Sequence, residues 1–159
     1  MAGEKNMQAS NMGNFFDDFV VGDVIEHALS KTIFESDNNL FCLLTMNHHP
    51  VHTNADYAKK AQHGKILVVG TLVFSIVVGM SVPDISGKAI ANLDYESVKH
   101  LAPVFIGDTL YAKTKILDKR ESKSKTDRGI VYVETVGYNQ NHIPVISFRR
   151  HALVIKEDF

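Results

Sequence analysis

Residues Thr45 to Ala58 read TMNHHPVHTNADYA. His48, His49 and His52 stand within five positions, with Asn47 before them and Pro50 between. Imidazole takes and returns protons near neutral pH, and it is also a common metal ligand. The Asn47 amide cannot titrate, yet it both donates and accepts, so it can orient a water molecule. From residue types alone three roles are open: acid–base chemistry, metal ligation, or polar lining of a turn. Zinc fits the spacing poorly. His49 and His52 are three apart in a proline-broken segment, and no carboxylate or fourth ligand follows at a usual interval. No bound metal is expected.

The elements that must position this stretch follow from patterning. Glu35-Ser36-Asp37 supplies capping chemistry for a helix over Asn38 to Met46, with Leu40, Phe41, Leu43 and Leu44 on its apolar side. Pro50 is expected to keep the histidine stretch from forming regular helix. Asn54 can cap a short helix ADYAKKAQ, and Gly64 can stop it. Ile66 to Val82 carries no charge. A membrane span needs about 20 apolar residues; this run contains two glycines, two serines and a threonine and ends at Pro83, so it predicts a helix buried on nearly all sides.

Before and after these helices the pattern is that of strands. Val24 to Phe34 predicts one strand, and Ala89 to Leu101 another. Over Asp108 to Arg120, Leu110, Ala112, Thr114 and Ile116 share one face. Over Gly129 to Tyr138, Val131, Val133 and Thr135 oppose Ile130, Tyr132, Glu134 and Val136. Pro144 to Lys156 closes the chain as a further strand, and the links SKSKTDRG and NQNH are short and polar. The second half is therefore an antiparallel meander. One long apolar helix followed by long antiparallel strands makes an α+β domain in which the sheet curls around the helix. Such a sheet leaves an edge uncovered, so a homodimer, or a higher homo-oligomer, is the expected state.

Composition narrows the partners. The 159 residues are 45% hydrophobic and 22% charged, with a net charge of −1. No clustered basic face suggests nucleic acid; the basic stretch from Lys119 to Arg128 is broken by acids and serines and reads as a solvated hairpin tip, with a phosphate-binding loop as the alternative. The single cysteine, Cys42, lies in the apolar run LFCLL, where it reads as a packed thiol rather than a nucleophile. One cysteine and no secretory signal predict a cytoplasmic protein without membrane association. Residues 1–14 lack apolar periodicity and are expected to be a mobile tail, with residues 15–159 forming a single domain.

Several separated motifs resemble one family. NHHPVHTNADYAKKAQHGKILVVG resembles the signature of the MaoC-like, or hydratase-2, branch of the hot-dog superfamily: Asp-x-Asn-Pro-x-His, a short Ala-containing helix, then a glycine opening a central helix. LAPVFIGDTLYAKTKIL resembles that family's Pro-Val-x-x-Gly-Asp-Thr-Leu strand entry, and FFDDFVVGDVIEH and SKTIFESDNNLF resemble its N-terminal segment. The likeness runs from about Phe15 to Ile155. TMN-x-x-P-x-H, the Arg120–Gln140 segment and the ending ISFRR resemble the subgroup of mesaconyl-CoA hydratases and β-methylmalyl-CoA dehydratases, which handle branched C5 dicarboxylic thioesters.

Position by position, the family's histidine falls on His52, its aspartate on Asn47, its asparagine on His49, and its carbonyl-polarising glycine on Gly70. The chain thus departs from the pattern at Asn47 and His49. The resemblance implies a hot-dog domain that adds water to, or removes it from, a short branched or dicarboxylic enoyl-CoA of the mesaconyl-, itaconyl- or β-methylmalyl-CoA type. Such chemistry needs a base for water, an acid for the α carbon and donors for the enolate oxygen. His52 suits proton transfer, Asn47 water positioning, and His49 or His48 a second proton carrier. Gly70, with Val69 beside it, suits the thioester oxygen, because a helix start presents free N–H groups. No cofactor is expected, since CoA travels with the substrate. His63, His100, His142 and His151 receive no role, and the alternation puts Arg149 and Arg150 on opposite faces, one at a rim and the other a candidate for a phosphate or carboxylate. Two alternatives keep the fold: a thioesterase or acyl-carrier dehydratase, and, given Asn47, a non-catalytic acyl-CoA-binding subunit.

Overall fold

The computed structural model describes residues 12–157. Most of the tail expected over residues 1–14 lies outside the described residues; within them, the Asn14 side chain donates to the Asp84 carbonyl at 2.9 Å. Six strands form one antiparallel sheet: β1 (Val24–Glu26), β2 (Lys31–Thr32), β3 (Ala89–His100), β4 (Thr109–Glu121), β5 (Arg128–Asn139) and β6 (Pro144–Ile155). The order is β1-β4-β5-β6-β3, with β2 also on β4. Helices α1 (Glu35–Thr45), α2 (Pro50–Thr53), α3 (Ala55–Lys60) and α4 (Gly70–Ser81) precede β3. The expected arrangement, a sheet curled around a central helix, is the one observed.

Alternation decides the sheet's inner face. Leu110, Ala112, Thr114 and Ile116 are buried, as are Val131, Val133 and Thr135 on the neighbouring strand. Val73, Val77 and Met80 of α4 pack with Ile146 and Phe148 in one cluster. Full burial of a valine such as Val77 stabilises by about 1.5–3 kcal/mol. The helix can come this close because β5 carries Gly137, where an added Cβ would lie 2.6 Å from Val77 Cγ2.

Four expectations are corrected. The strand over Val24 to Phe34 is two short ones. Glu26 faces Lys113 and Lys31 faces Leu110, so five steps on one side meet three on the other and residues 27–30 loop out. Helix α1 starts at Glu35, because the Asp37 carboxylate accepts from the Phe34 N–H at 2.9 Å and holds the first turn. Its buried side is Asn38 and Cys42, whereas Leu40, Leu43 and Leu44 are exposed. Pro50 does not prevent helix; it opens α2 at the first helical position, where its missing N–H costs nothing.

The fourth correction concerns α4. It begins at Gly70 rather than Ile66 and leaves the stripe Thr71, Ser75, Gly79 exposed, so its burial is one-sided. Strand β3 has the same character: it is the sheet edge beyond β6 and is exposed from Ile90 to His100. Among the described residues no helix is long and apolar enough to cross a membrane. Cys42 is fully buried, and burial raises its thiol pKa.

Candidate active site

A cleft of about 570 Å³ opens at the N-terminal end of α4. Its wall includes Asn47, His52, Gly70 and Thr71, together with His63 and His100. Among the described residues, no aspartate, glutamate, lysine or arginine lines it. Among the described residues, the cleft's titratable side chains are therefore three histidines, the residue type suited to proton exchange near neutral pH.

Each residue is placed by a local device. Helix α1 ends at Met46 in the left-handed region, φ 58°, and the Asn47 N–H bonds back to the Cys42 carbonyl at 3.1 Å. That is a Schellman-type stop, unusual without glycine, and it turns the chain out of α1 into the cleft. His52 lies on α2, two residues after Pro50. Its Nδ1 is 2.6 Å from the Leu67 carbonyl oxygen. A carbonyl only accepts, so Nδ1 carries the proton and Nε2 keeps the free lone pair.

Buried Asn38 joins the two sides of the site. Its Nδ2 donates to the His52 carbonyl at 3.0 Å, and its Oδ1 accepts from the Val69 N–H at 3.0 Å. One side chain thus sets the spacing between His52 and the start of α4. The Val69 N–H is engaged by this contact, so Val69 contributes a wall and not a donor. The Gly70 and Thr71 N–H groups have no protein acceptor among the described residues. They lie at the positive end of a twelve-residue helix, aimed where an anion or a polarised carbonyl would be stabilised.

His49 stands elsewhere than expected. Its Nδ1 accepts from the Val51 N–H at 3.2 Å, capping α2, and it is not part of the cleft wall. The lone pair is used to start the helix that carries His52. His48 is exposed and outside the wall as well. The sequence reading missed three residues. Asn38 carries no mark except its place in SDNNLF. His63 and His100 are brought in from far along the chain, His100 from the last position of β3. Its ring covers Gly70: an added Cβ there would lie 2.7 Å from His100 Cε1. His63 packs edge-on against Phe105, with centroids 5.6 Å apart.

The two arginines of ISFRR stay away from the cleft. Arg149 pairs with Glu134 at 2.7 Å, the rim contact. Arg150 is 1% exposed and donates to Ser81 Oγ at 2.8 Å, near the C-terminal end of α4, where the helix dipole favours a cation. Burial lowers its pKa from the usual arginine value. Among the described residues, no group of three or more His, Cys, Asp or Glu has the geometry to hold a metal.

With this geometry in hand, the relatives are informative. Residues 18–139 match the MaoC-like domain. The chain is 39% identical over 150 residues to a β-methylmalyl-CoA dehydratase of Chloroflexus aurantiacus, covering 94% of this chain and 42% of that one. It is 34% identical over 149 residues to a mesaconyl-CoA hydratase of Cereibacter sphaeroides, covering 94% and 43%. A crystal structure of a MaoC domain protein from Chloroflexus aurantiacus superposes with a TM-score of 0.89 at 38% identity, covering 96% of this chain and 43% of that one. The chain therefore spans less than half the length of these relatives. The matched family model runs from the 3-10 turn at Phe16–Asp18 to the end of β5, taking in His52, Gly70 and His100, and the chain belongs to the MaoC-like domain family.

Proposed function

We propose that this chain is a hydratase or dehydratase that adds water to, or removes it from, the α,β double bond of a short enoyl-CoA, of the branched dicarboxylic mesaconyl-, itaconyl- or β-methylmalyl-CoA type. One observation carries the proposal: His52, with Nδ1 tied to Leu67 O and Nε2 free, shares a cleft with the unpartnered Gly70 and Thr71 amides. A base and an oxygen-binding pair of N–H groups are what water addition to a thioester-conjugated double bond requires.

In the hydration direction, His52 Nε2 takes a proton from water held by the Asn47 amide. The water oxygen bonds to the β carbon as the double-bond electrons move onto the thioester oxygen. The Gly70 N–H and the dipole of α4 stabilise that charge. A proton then reaches the α carbon. No cofactor beyond the CoA of the substrate enters these steps. The nature of the acyl group rests on the two curated relatives, whose names specify C5 thioesters. A cytoplasmic, reducing location suits a chain with one buried cysteine.

The working unit in this proposal is two copies joined along β3. That edge exposes Ile90, Leu93, Tyr95 and Val98, and the stripe Thr71, Ser75, Gly79 lies open on α4. Sedimentation at micromolar concentration should give twice the chain mass, and Leu93→Lys should return it to monomer; a monomeric parent chain rejects the pairing.

The decisive experiment incubates the protein with crotonyl-, mesaconyl-, itaconyl- and β-methylmalyl-CoA and follows each by mass. Gain or loss of one water names the substrate. Free thiol without water transfer would make it a thioesterase. Asn47, where a titrating carboxylate would otherwise stand, favours one further reading: an acyl-CoA-binding subunit. Binding with neither signal would select it.

A further inference from the structure

The proposed reaction moves two protons, and the cleft holds one assigned proton carrier. Asn47 cannot titrate, His49 spends its Nδ1 on the Val51 amide, and among the described residues no carboxylate, lysine or arginine lines the wall. Two titratable side chains are left, His63 and His100. They differ in what they touch. His63 is stacked edge-on against Phe105. His100 lies over Gly70, with Cε1, Nε2 and Nδ1 all within 3.2 Å of where a Gly70 Cβ would stand. A substrate oxygen at the start of α4 would share the cleft with the His100 ring.

We propose that His100 is the second acid–base residue of this cleft, acting on the enolate while His52 acts on water. The inference deepens the hydratase proposal and rests on it. Its steps balance. His52 Nε2 takes one proton from water; the hydroxyl oxygen bonds to the β carbon, and the double-bond pair passes into the enolate. His100, protonated at the start, gives its ring proton to the α carbon, and the thioester carbonyl is restored. His52 now carries one extra proton and His100 one fewer. Transfer between them through solvent in the open cleft resets both rings. The net change is one water added across the double bond. Dehydration is the same sequence reversed.

The titratable groups that share the cleft wall with His100 are His52 from α2 and His63 from the segment before α4, and its register partner on β6 is Ile146. Gly70 is also explained: any side chain there would displace the His100 ring. Only the return of β3 alongside the start of α4 brings positions 52 and 100 together.

The test compares pH profiles of kcat/KM for the parent protein, His100→Gln, His63→Gln and His52→Gln on whichever enoyl-CoA the parent hydrates. Glutamine keeps a neutral donor and much of the shape. The parent profile should be bell-shaped, falling in acid as the base is protonated and in alkali as the acid is lost. His100→Gln should lower kcat/KM by about a hundredfold or more, within the range for a lost general acid, and should remove the alkaline limb while the acid limb stays. Its unfolding temperature should match that of the parent. A bell retained in His100→Gln with kcat/KM within threefold overturns the inference and leaves the hydratase proposal intact. Loss of the alkaline limb in His63→Gln instead gives the role to His63 and also overturns it. A parent protein that neither adds nor removes water on any of these thioesters overturns both.

Discussion

The two ends of α4 hold histidines in opposite states. At the C-terminal end, His27 is inside the sheet with both ring nitrogens engaged: Nδ1 with Asp84 at 2.7 Å and Nε2 with Thr114 Oγ1 at 2.7 Å. Thr114 continues the chain to Thr135 at 2.8 Å. Nothing is left over for a ligand. At the N-terminal end, His52 has one nitrogen engaged, and the Gly70 and Thr71 amides have no protein acceptor among the described residues. The same residue type is closed off where its bonding is complete and open to a ligand where it is left incomplete beside a cleft. A histidine alone in a sequence does not reveal which state it will have.

The contrast is broken most directly by exchanging alanine for each histidine. His52→Ala should lower kcat by about 10²–10⁴-fold, the usual worth of general acid–base catalysis, with little change in unfolding temperature. His27→Ala should do the reverse. It removes the bonds to Asp84 and to Thr114, which keeps only Thr135, at about 0.5–1.5 kcal/mol for each lost hydrogen bond, and lowers the melting temperature by about 2–4 °C per kcal/mol in a chain of this size. Steady-state assays and calorimetry on the two variants separate the effects; similar losses in both measurements at both sites would erase the distinction.

Gly70→Ala comes next in size. Its Cβ would meet the His100 ring at 2.7 Å, so the ring must move away from the helix start. Turnover should fall by about 10²-fold, as when an oxyanion donor is blocked, while the far-ultraviolet spectrum stays unchanged. Asn38→Ala lies between the two classes, because Asn38 bonds both sides of the cleft. Two lost hydrogen bonds at about 0.5–1.5 kcal/mol each should lower stability, and kcat should drop on the order of tenfold. An Asn38→Ala protein with lower melting temperature and full kcat would show that the clamp serves folding alone.

The smallest expected effect is on pH. The Lys31 ion pair, followed by the Phe34 N–H, holds the Asp37 pKa below its usual value. A carboxylate depressed by folding stabilises the protein above its unfolded pKa of about 3.9, and that contribution is lost as pH falls toward the lower folded value. Melting curves should therefore show acid loosening that begins near pH 4, and Asp37→Asn should flatten it slightly. An identical acid slope in the variant would assign the loosening to other carboxylates.

Much of the frame was legible before any coordinates. The period-two runs of β4 and β5 name their inner faces, since a strand's alternation is dictated by its own backbone. Asn54 caps α3 through the Tyr57 N–H at 3.0 Å, as its side chain and position required. The apolar central helix came from local pattern, and the grouping of His52, Asn47 and Gly70 came from the resemblance to the MaoC-like family. The errors occurred where packing overruled local preference. Leu40, Leu43 and Leu44 form an apolar run, but Asn38 and Cys42 take the buried side of α1, because Asn38 finds two partners there.

The sequence by itself therefore determined most of the elements and the inner faces of the sheet, because each depends on neighbours within one turn or one strand; His52 was singled out by the resemblance to the MaoC-like family, not by local spacing. Tertiary structure alone decided what surrounds His52. It brought His100 from the end of β3 onto Gly70, tied His52 to Leu67 and left the start of α4 without acceptors among the described residues. Those outcomes depend on which long-range surfaces meet and on which polar groups find partners when they do. No local spacing records that.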